Sequence, residues 1–356
     1  MKETTKLNIA ILFGGASSEY EVSLQSAYAV ITNLNPQKYR PIPIGITREG
    51  RWLHFAGDCA KIKDDTWWKD ADCVPTMLSP NRGEAALLRL AENRTEVIRI
   101  DAVFPVLHGR NGEDGTVQGL VELAGLPLIG CGTLSSALCM DKDRAHKLVQ
   151  TIGIRVAKSL VLNDRPDRSP ARMFANTVGY PLYVKPVKAG SSYGITRVTA
   201  AQELERAIAL AFAYDNQVIL EETIEGFEVG CAILGKKELL VGAVDEIELS
   251  QGFFDYTEKY TLKSSKIHVP ARVSPEKAEE IKEAAKAIYR VLGCSGFARV
   301  DMFLTPEGEI VFNEVNTIPG FTEHSRYPKM MQAAGYSFPA LLEMLVDCGI
   351  DAESIV

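Results

Sequence analysis

The sequence contains no apolar run that approaches the length of a transmembrane helix, and it contains no cluster of basic residues. Its formal net charge is −7 over 356 residues. The first absence argues against a membrane-spanning segment, and the second argues against nucleic acid or an anionic membrane as the main partner. The apolar run in MKETTKLNIAILFGG is too short for a signal peptide, so we expect a β-strand there.

Cysteines in the spacing of a metal or redox motif are also missing. Seven cysteines are scattered along the chain, none of them in a C-x-x-C motif, and the closest two are Cys131 and Cys139. An odd and scattered set predicts neither a disulfide framework nor a zinc site. We therefore expect reduced thiols and a cytoplasmic location.

Strand-like and helix-like segments alternate in the first third of the chain. The predicted strands are NIAILFGG, YRPIPIGI, DAVFPVL and PLIG, and the predicted helices are VSLQSAYAVITNL, RGEAALLRLAE and TVQGLVELAGL. This alternation is typical of an α/β domain with a parallel, Rossmann-like sheet. Because the dinucleotide fingerprint G-x-G-x-x-G is missing, the sheet is predicted to be a scaffold whose strand ends carry ligand-binding loops.

The pattern changes from Ser135 onward. One long helix, SSALCMDKDRAHKLVQTIG, is predicted to end at Gly153, and short strands with the helix AQELERAIALAFAYD follow. After Glu228 come two antiparallel strands, the polar stretch SQGFFDYTEKYTLKSSK, the helix PEKAEEIKEAAKAIYRVLG, a β-hairpin and the helix SFPALLEMLVDCG. We therefore expect two α+β domains after the first domain, with boundaries 1–132, 133–221 and 222–356.

The hairpin has the most informative polar pattern. The strands GFARVDMFL and FNEVN flank the turn TPEGE, and counting outward from that turn places Asp301 opposite Glu314. One face then carries Arg299, Asp301, Glu314 and Asn316, because strand side chains alternate in direction. Such oxygen ligands suit Mg²⁺ bound together with substrate phosphates. A solvated polar face on an edge hairpin is the alternative.

Two lysines predict contacts with phosphates. Lys142 lies in a predicted helix, and Lys185 ends a strand in YVKPVKAGSSYG, where glycine N–H groups can form a phosphate cradle. A simple Gly-Ser turn explains this loop equally well. The loop also matches the serine-hydrolase pattern G-x-S-x-G at Ser192, but that motif requires a helix after the turn, and the following ITRVTA is strand-like.

Other polar residues lie at predicted strand ends. Glu221 and Glu228 flank a crossover between domains, where carboxylates can accept hydrogen bonds from a ribose or from an adenine amino group. Surface acidity explains Glu222 from the residues alone. Glu19 and His108 follow strands of the first domain, in glycine-rich loops that offer no packing role for the histidine. Three other histidines have no such context: His54, His146 and His268.

In order along the chain, the motifs GGASSEYEVS, HGRNGEDG, MDKDRAHK, YVKPVKAGSSYG, EKY, RVDMF and NEVNTIPGF resemble those of D-alanine–D-alanine ligases of the ATP-grasp superfamily. The resemblance covers nearly the whole chain. It implies an ATP-grasp fold, in which a Rossmann-like domain and two α+β domains clasp ATP. It also implies a two-step reaction, in which a D-alanine carboxylate attacks the γ-phosphate of ATP and the amine of a second D-amino acid then attacks the resulting acyl phosphate.

The resemblance implies a role for each matching residue. Catalytic roles fall on Glu19, Ser191, Tyr260, Arg299 and Gly320. Substrate contacts fall on Glu19, His108, Asp245, Phe254, Lys259, Ser325 and Arg326. Nucleotide contacts fall on Lys142, Lys185, Ser192, Glu221, Glu222, Ile224 and Glu228. Two Mg²⁺ ions, replaceable by Mn²⁺, are expected on Asp301, Glu314 and Asn316, and a mobile lid is expected at about 251–266.

Two features bear on the second substrate. Arg326 stands where D-alanine–D-alanine ligases have an apolar residue, which resembles the vancomycin-resistance ligases. The retained Lys259–Tyr260 pair resembles the D-alanine–D-serine branch, because D-lactate-specific members lack it. We therefore expect D-alanine and D-serine as substrates, with a D-alanine–D-alanine ligase as the alternative. The resemblance to the family also implies a homodimer. Arg326 is predicted to donate to the D-serine hydroxyl, and a plain carboxylate anchor is the alternative.

Overall fold

A computed structural model describes residues 6–163, 167–190, 193–249 and 265–350 of the chain. The strands in these ranges are β1 Leu7–Gly14, β2 Tyr39–Ile46, β3 Trp52–Phe55, β4 Cys73–Leu78, β5 Ala86–Ala91, β6 Arg94–Arg99, β7 Ala102–Pro105, β8 Arg155–Val156, β9 Ser159–Asn163, β10 Leu182–Pro186, β11 Thr196–Val198, β12 Gln217–Glu222, β13 Phe227–Gly235, β14 Leu239–Leu249, β15 Ser265–His268, β16 Gly296–Leu304 and β17 Ile310–Asn316. The α-helices are α1 Tyr20–Asn33, α2 Ala60–Lys63, α3 Thr116–Leu123, α4 Thr133–Met140, α5 Lys142–Gln150, α6 Ser169–Val178, α7 Leu204–Phe212, α8 Pro275–Val291, α9 Arg326–Ala333 and α10 Phe338–Ile350. None of these described helices is both long and apolar enough to cross a bilayer.

The first sheet has the strand order β6-β5-β4-β3-β2-β1-β7. Its centre is parallel as predicted, since β1 pairs in parallel with both β2 and β7. The helix predicted for RGEAALLRLAE is wrong, because Ala86–Ala91 forms β5 and pairs with β4 and β6. Alanine, leucine and arginine favour helices in isolation, but pairing on both sides outweighs this weak preference. The predicted strand PLIG is reduced to a single bridge between Val103 and Leu128.

The long helix predicted around Asp141 is also wrong, because it is two helices. Asp141 has an extended backbone between α4 and α5, and its side chain accepts from the backbone N–H of Arg144 at 3.1 Å. An aspartate at this position caps the start of a helix by satisfying one of its unpaired N–H groups. The break makes Lys142 the first residue of α5, so its side chain leaves the helix at its very start.

The second and third sheets follow the predicted α+β pattern. A four-stranded antiparallel sheet has the order β11-β10-β12-β9, with α7 packed on β10 and α6 on β9. The helix α6 was not predicted. A six-stranded sheet has the order β15-β14-β13-β16-β17-β8, and it is antiparallel except where β8 pairs with β17. The boundaries at 132 and 221 remain a prediction.

One hydrophobic core joins the first sheet to the end of the chain. Phe297 and Phe321 lie with ring centroids 5.5 Å apart, and each lies 6.0 Å from Phe104 of β7. Tyr327 of α9 adds a fourth ring, 5.6 Å from Phe297. The loop after β17 is therefore packed directly against the Rossmann-like sheet, which brings the ends of its parallel strands close to the polar hairpin.

Candidate active site

A cavity of about 220 Å³ lies between the four-stranded and the six-stranded sheets. Its polar lining includes Lys142, Lys185, Glu221, Glu228, Glu314 and Asn316, all of which were selected from the sequence. Its apolar lining includes Met140, Ala157, Ile195, Phe227, Phe303 and Phe312. The cavity thus combines apolar walls with a charged end, which is the usual composition of a small-molecule site.

The polar hairpin is confirmed in its register. Asp301 is paired with Glu314, and Arg299 is paired with Asn316. The guanidinium of Arg299 donates to Asp301 from Nε at 2.8 Å and from Nη2 at 2.6 Å. The Asn316 amide donates to the same carboxylate at 2.8 Å. Arg299 and Asn316 are therefore both bonded to the Asp301 carboxylate, and Glu314 lies opposite Asp301 in the register.

The oxygen donors on this face fit a hard divalent cation. Two carboxylates and one amide are ligands of the type that Mg²⁺ takes, and Mg²⁺ usually completes its shell with phosphates and water. Among the described residues, no three His, Cys, Asp or Glu side chains are arranged to hold a metal by themselves.

Lys142 and Lys185 reach the cavity from different elements. Lys185 on β10 pairs with Glu221 of β12, with Nζ 2.5 Å from Oε2. Burial lowers the pKa of Lys185, but the charge and hydrogen bond of Glu221, together with the charge of Glu314, raise that pKa above its ordinary value, so the ammonium is retained. Lys142 donates from Nζ to the Ala189 carbonyl at 2.9 Å and lies 3.7 Å from Glu314. Two cations therefore line the cavity, one beside Glu314 of the hairpin and one beside Glu221.

Glu19 lies in a slot formed by two glycines. A Cβ on Gly109 would lie 2.6 Å from Oε2 of Glu19, and a Cβ on Gly190 would lie 2.5 Å from the same atom. Gly109 also has φ of +71°, a conformation that favours glycine. The carboxylate of Glu19 is thus held between the HGRNG loop and the glycine-rich loop that follows β10.

Arg326 is enclosed by carboxylates. It donates to Asp245 from Nε at 2.7 Å and from Nη2 at 2.8 Å, and it donates from Nη1 to Glu228 at 2.8 Å. Nη2 also lies 3.5 Å from Asp301. Burial lowers the pKa of the guanidinium, but the charges of Asp245 and Asp301 raise it well above its usual value. Gly230 leaves room for the pair, because a Cβ there would lie 2.5 Å from both Arg326 and Asp245.

Comparison with known proteins identifies the family. The D-ala D-ala ligase N-terminus model matches residues 8–131, and the D-ala D-ala ligase C-terminus model matches residues 148–347. The chain belongs to the D-alanine–D-alanine ligase family.

Its relatives include both vancomycin-resistance proteins and D-alanine–D-alanine ligases. The vancomycin B-type resistance protein VanB of Enterococcus faecalis is 45% identical over 97% of this chain and 99% of its own length. The D-alanine–D-alanine ligase of Caldicellulosiruptor bescii is 44% identical over 98% of this chain and 96% of its own length. Among solved structures, the VanG D-Ala:D-Ser ligase from Enterococcus faecalis superposes with a TM-score of 0.90 at 58% identity, covering 97% of this chain and 99% of that chain.

These matches confirm the ATP-grasp fold and make this chain an ATP-dependent ligase of the family. The family uses ATP and a divalent metal, and the cavity offers both kinds of contact. Its lysines suit phosphates, and the oxygen donors on the hairpin suit the cation. The identity of the second D-amino acid is a separate question.

Glu113 is a site residue of the ligase that the sequence analysis did not select. It lines the cavity, and its Oε1 accepts from the Gly109 backbone at 3.0 Å. Burial, together with the nearby charge of Glu19, raises the pKa of its carboxyl to about 8. Its signal in the sequence is an acidic residue in HGRNGEDG, the same glycine-rich loop after a buried strand that contains His108.

His108 has a structural role that the sequence analysis excluded. Its Nδ1 lies 2.9 Å from the Ile318 carbonyl, and its Nε2 lies 3.4 Å from the Ser26 hydroxyl. Burial lowers the pKa of the ring, which favours its neutral form. The expectation that no packing role explains this histidine is therefore wrong, because it ties α1 to the loop after the hairpin. A substrate contact by His108 stays a prediction.

The other selected residues of the ligase divide into two groups. Glu222 and Ile224 line the cavity, although the Glu222 carboxylate also accepts from the Lys158 backbone at 3.0 Å. Ser325 immediately precedes α9. It lies close to Gly320, because a Cβ added to Gly320 would be 3.2 Å from Oγ of Ser325. Five selected residues and most of the predicted lid lie outside the described residues: Ser191, Ser192, Phe254, Lys259 and Tyr260. The strands β14 and β15, which flank residues 250–264, pair with each other.

Proposed function

We propose that this ligase joins D-alanine to D-serine through a D-alanyl phosphate, to make peptidoglycan precursors with lower affinity for vancomycin. The observation that carries the proposal is the Arg326–Asp245 ion pair beside the hairpin, at a position where an apolar residue is expected in D-alanine–D-alanine ligases. The similarity to the solved D-Ala:D-Ser ligase supports the same second substrate.

In the first half-reaction, Glu19 would bind the ammonium of the first D-alanine. This orients the D-alanine carboxylate so that one of its oxygens attacks the γ-phosphorus of ATP, and ADP leaves. Lys142 and Lys185 would hold the phosphates, because both ammonium groups lie in the cavity, Lys142 beside Glu314 and Lys185 beside Glu221. Two Mg²⁺ ions, or Mn²⁺ in their place, would neutralise charge on the transferred and leaving oxygens. Asp301, Glu314 and Asn316 are their proposed ligands.

The nucleotide would lie against the end of β12. We assign the adenine side to Glu221, Glu222 and Ile224, which line the same wall of the cavity. Glu228 would bind the ribose while it pairs with Arg326, and Ser192 would cover the β-phosphate. This arrangement puts the base among the apolar residues and the phosphates at the charged end.

In the second half-reaction, the amine of the second D-amino acid attacks the acyl carbonyl, and inorganic phosphate leaves. Arg299 is positioned to stabilise the negative oxygens, since its planar guanidinium is fixed by the Asp301 carboxylate. The backbone N–H of Gly320 would complete an oxyanion hole. Ser191, Lys259 and Tyr260 would close the site and exclude water, because an acyl phosphate hydrolyses readily.

The second subsite would be selected by Arg326 and Asp245 acting as one unit. Because Nε and Nη2 are both committed to Asp245, the guanidinium can be redirected only by breaking a buried bidentate pair. A D-serine hydroxyl can instead use a remaining N–H of Arg326 or an Asp245 oxygen. A site that hydrogen-bonds a substrate hydroxyl strongly rejects an analogue that lacks this hydroxyl, whereas an apolar pocket discriminates poorly between the two.

The substitution Arg326→Leu tests this selection. We expect kcat/KM for D-serine to fall by about tenfold or more relative to D-alanine, which is about 1.4 kcal/mol of lost discrimination. An equal fall for both substrates would mean that Arg326 only anchors the carboxylate. Since removing Arg326 leaves Asp245 buried without its partner, the double variant Asp245→Asn/Arg326→Leu is the matched control for loss of folding.

A housekeeping D-alanine–D-alanine ligase is the second candidate, favoured by the 44% identity to such an enzyme over 98% of this chain. ADP release that requires D-alanine alone would support it, whereas ADP release that rises sharply when D-serine is added supports the first. No ADP release with either amino acid would contradict both. The site is common to the two candidates, so they differ only in the second D-amino acid.

We further propose a homodimer in the cytoplasm. The seven cysteines are free, which agrees with a reducing compartment. Light scattering of the purified chain measures the assembly, and a mass of one chain would contradict the dimer.

A further inference from the structure

Two buried polar atoms face each other in the cavity. Nδ1 of His146 and Oε1 of Glu221 lie 4.0 Å apart, and their side chains are 4% and 5% exposed. Neither atom has a hydrogen-bond partner among the described residues. Buried polar atoms without partners are rare in native proteins, so each one requires an explanation.

The neighbouring hydrogen bonds identify both atoms as acceptors. Nε2 of His146 lies 2.9 Å from the Asn313 carbonyl, which can only accept, so Nε2 carries a proton. The tautomer that has its proton on Nε2 leaves a lone pair on Nδ1. Glu221 accepts from Lys185 through Oε2. Burial raises the pKa of Glu221, but the charge and hydrogen bond of Lys185, together with the other positive charges nearby, lower that pKa below its ordinary value. The carboxylate is therefore ionised and can only accept.

Two acceptors at this distance cannot bond to each other, but a single group with two N–H donors can satisfy both. The exocyclic amino group of an aromatic base has such a pair of N–H bonds, which diverge in the plane of the ring. The surrounding surface suits a flat ring, because Met140, Ala157 and Phe312 line the same cavity. The His146 ring packs edge-on against Phe312, with a centroid distance of 5.5 Å, and this fixes its orientation.

We propose that His146 and Glu221 bind the amino group of adenine together, which makes His146 a residue that selects the base. The assignment rests on the proposed nucleotide site, and it gives a role to a histidine for which the sequence offered none. One amino N–H donates to Nδ1 of His146, and the other donates to Oε1 of Glu221. A base with a carbonyl at this position brings a third acceptor to the two already present and is rejected.

The test measures binding rather than turnover. Isothermal titration calorimetry compares ADP with purine riboside 5′-diphosphate, which lacks only the amino group, in the presence of Mg²⁺. We expect the wild type to bind ADP at least about tenfold more tightly, as two hydrogen bonds, one of them to a charged group, are lost without the amino group. Inosine diphosphate is expected to bind more weakly than ADP as well.

Two substitutions distinguish the contribution of Nδ1 of His146 from that of Nε2. In His146→Gln the amide reaches the position of Nε2 and no acceptor remains at Nδ1, so the preference for ADP is expected to fall about fivefold. In His146→Asn the amide oxygen takes the position of Nδ1, so the preference is expected to be retained. Thermal unfolding of each variant checks that it is folded.

Several results would overturn the proposal. Equal binding of ADP and purine riboside diphosphate by the wild type would do so, and this measurement needs no variant. An equal loss of affinity for both nucleotides in His146→Gln would reduce His146 to a positioning role for Glu221. Failure of the wild type to bind either nucleotide would instead contradict the proposed function, so the two failures are distinguishable.

Discussion

At the scale of single residues, the site consists of charges that are buried and paired. The bonds from Lys185 to Glu221 and from Arg326 to Asp245 both join side chains that are at most 13% exposed. Deleting one partner leaves the other charge buried and costs about 3–5 kcal/mol of stability. Neutral substitutions of similar shape are therefore the better probes of chemistry at this site.

Glu314→Gln is such a probe of the proposed metal site. The side chain is 24% exposed, so the amide can replace the carboxylate without a folding defect. We expect turnover, measured as ADP release, to fall by at least about two orders of magnitude because charge neutralisation at the phosphates is lost. Glu307→Gln, in the exposed turn of the same hairpin, is the matched control. Near-normal ADP release by folded Glu314→Gln protein would refute the assignment.

Glu113 gives a pH-dependent prediction for stability. Its carboxyl has a pKa of about 8 in the folded protein against 4.5 as the ordinary value. Between these values the unfolded chain releases this proton and the folded chain keeps it, so this group lowers stability as pH rises through that window. The glutamine in Glu113→Gln cannot titrate, so the free energy of unfolding of this variant should increase relative to that of the wild type as pH rises through the window.

The predicted gain is on the order of 2–4 kcal/mol between pH 5 and pH 8.5, measured by urea unfolding without nucleotide or metal. A difference between wild type and Glu113→Gln that does not change with pH would contradict the raised pKa.

The sequence predicts residues whose partners are local, and it misses those whose partners are distant. Asp301 and Glu314 could be placed opposite each other because a short turn fixes their register. The ion pairs of Arg326 could not be predicted, because its partners Asp245 and Glu228 come from strands more than 80 positions earlier in the chain. The same holds for His146, whose proton is assigned only by the Asn313 carbonyl 167 residues away.

At the scale of elements, the break between α4 and α5 determines where Lys142 lies. Helix propensity favours one continuous helix, since Ala, Leu, Met and Lys are all good helix formers. Asp141 ends this continuity through its extended backbone and its bond to the Arg144 N–H. The break is visible in the sequence only as an Asp within a helical pattern, which is also common on exposed helix faces.

Asp141→Ala tests the importance of this break. We expect a loss of about 1 kcal/mol of stability because the cap of α5 is removed. We also expect KM for ATP to rise severalfold, because Lys142 is displaced. Asp143→Ala removes a neighbouring carboxylate that pairs with Lys147 on the outer face, and it is the control. Equal KM values for ATP in Asp141→Ala and Asp143→Ala would show that the cap does not position the lysine.

At the scale of the whole molecule, the first sheet and the hairpin form one site. His108 bonds to the Ile318 carbonyl, and the Phe321 N–H donates to the Ser26 hydroxyl at 3.1 Å. These contacts hold the loop after β17 against α1, so Glu19 and the hairpin lie on the same side of the cleft. The sequence predicted the fold class and the position of the strand ends, but the sheet pairings that make this contact depend on residues far apart in the chain.

The most direct test of the account is a competition between the two candidate second substrates. Purified ligase is incubated with ATP, Mg²⁺ and equal concentrations of D-alanine and D-serine, and the dipeptide products are quantified by mass spectrometry. We expect D-alanyl-D-serine to be the main product of the wild type, and we expect its excess to fall in Arg326→Leu. A wild type that makes mainly D-alanyl-D-alanine under these conditions would contradict this expectation.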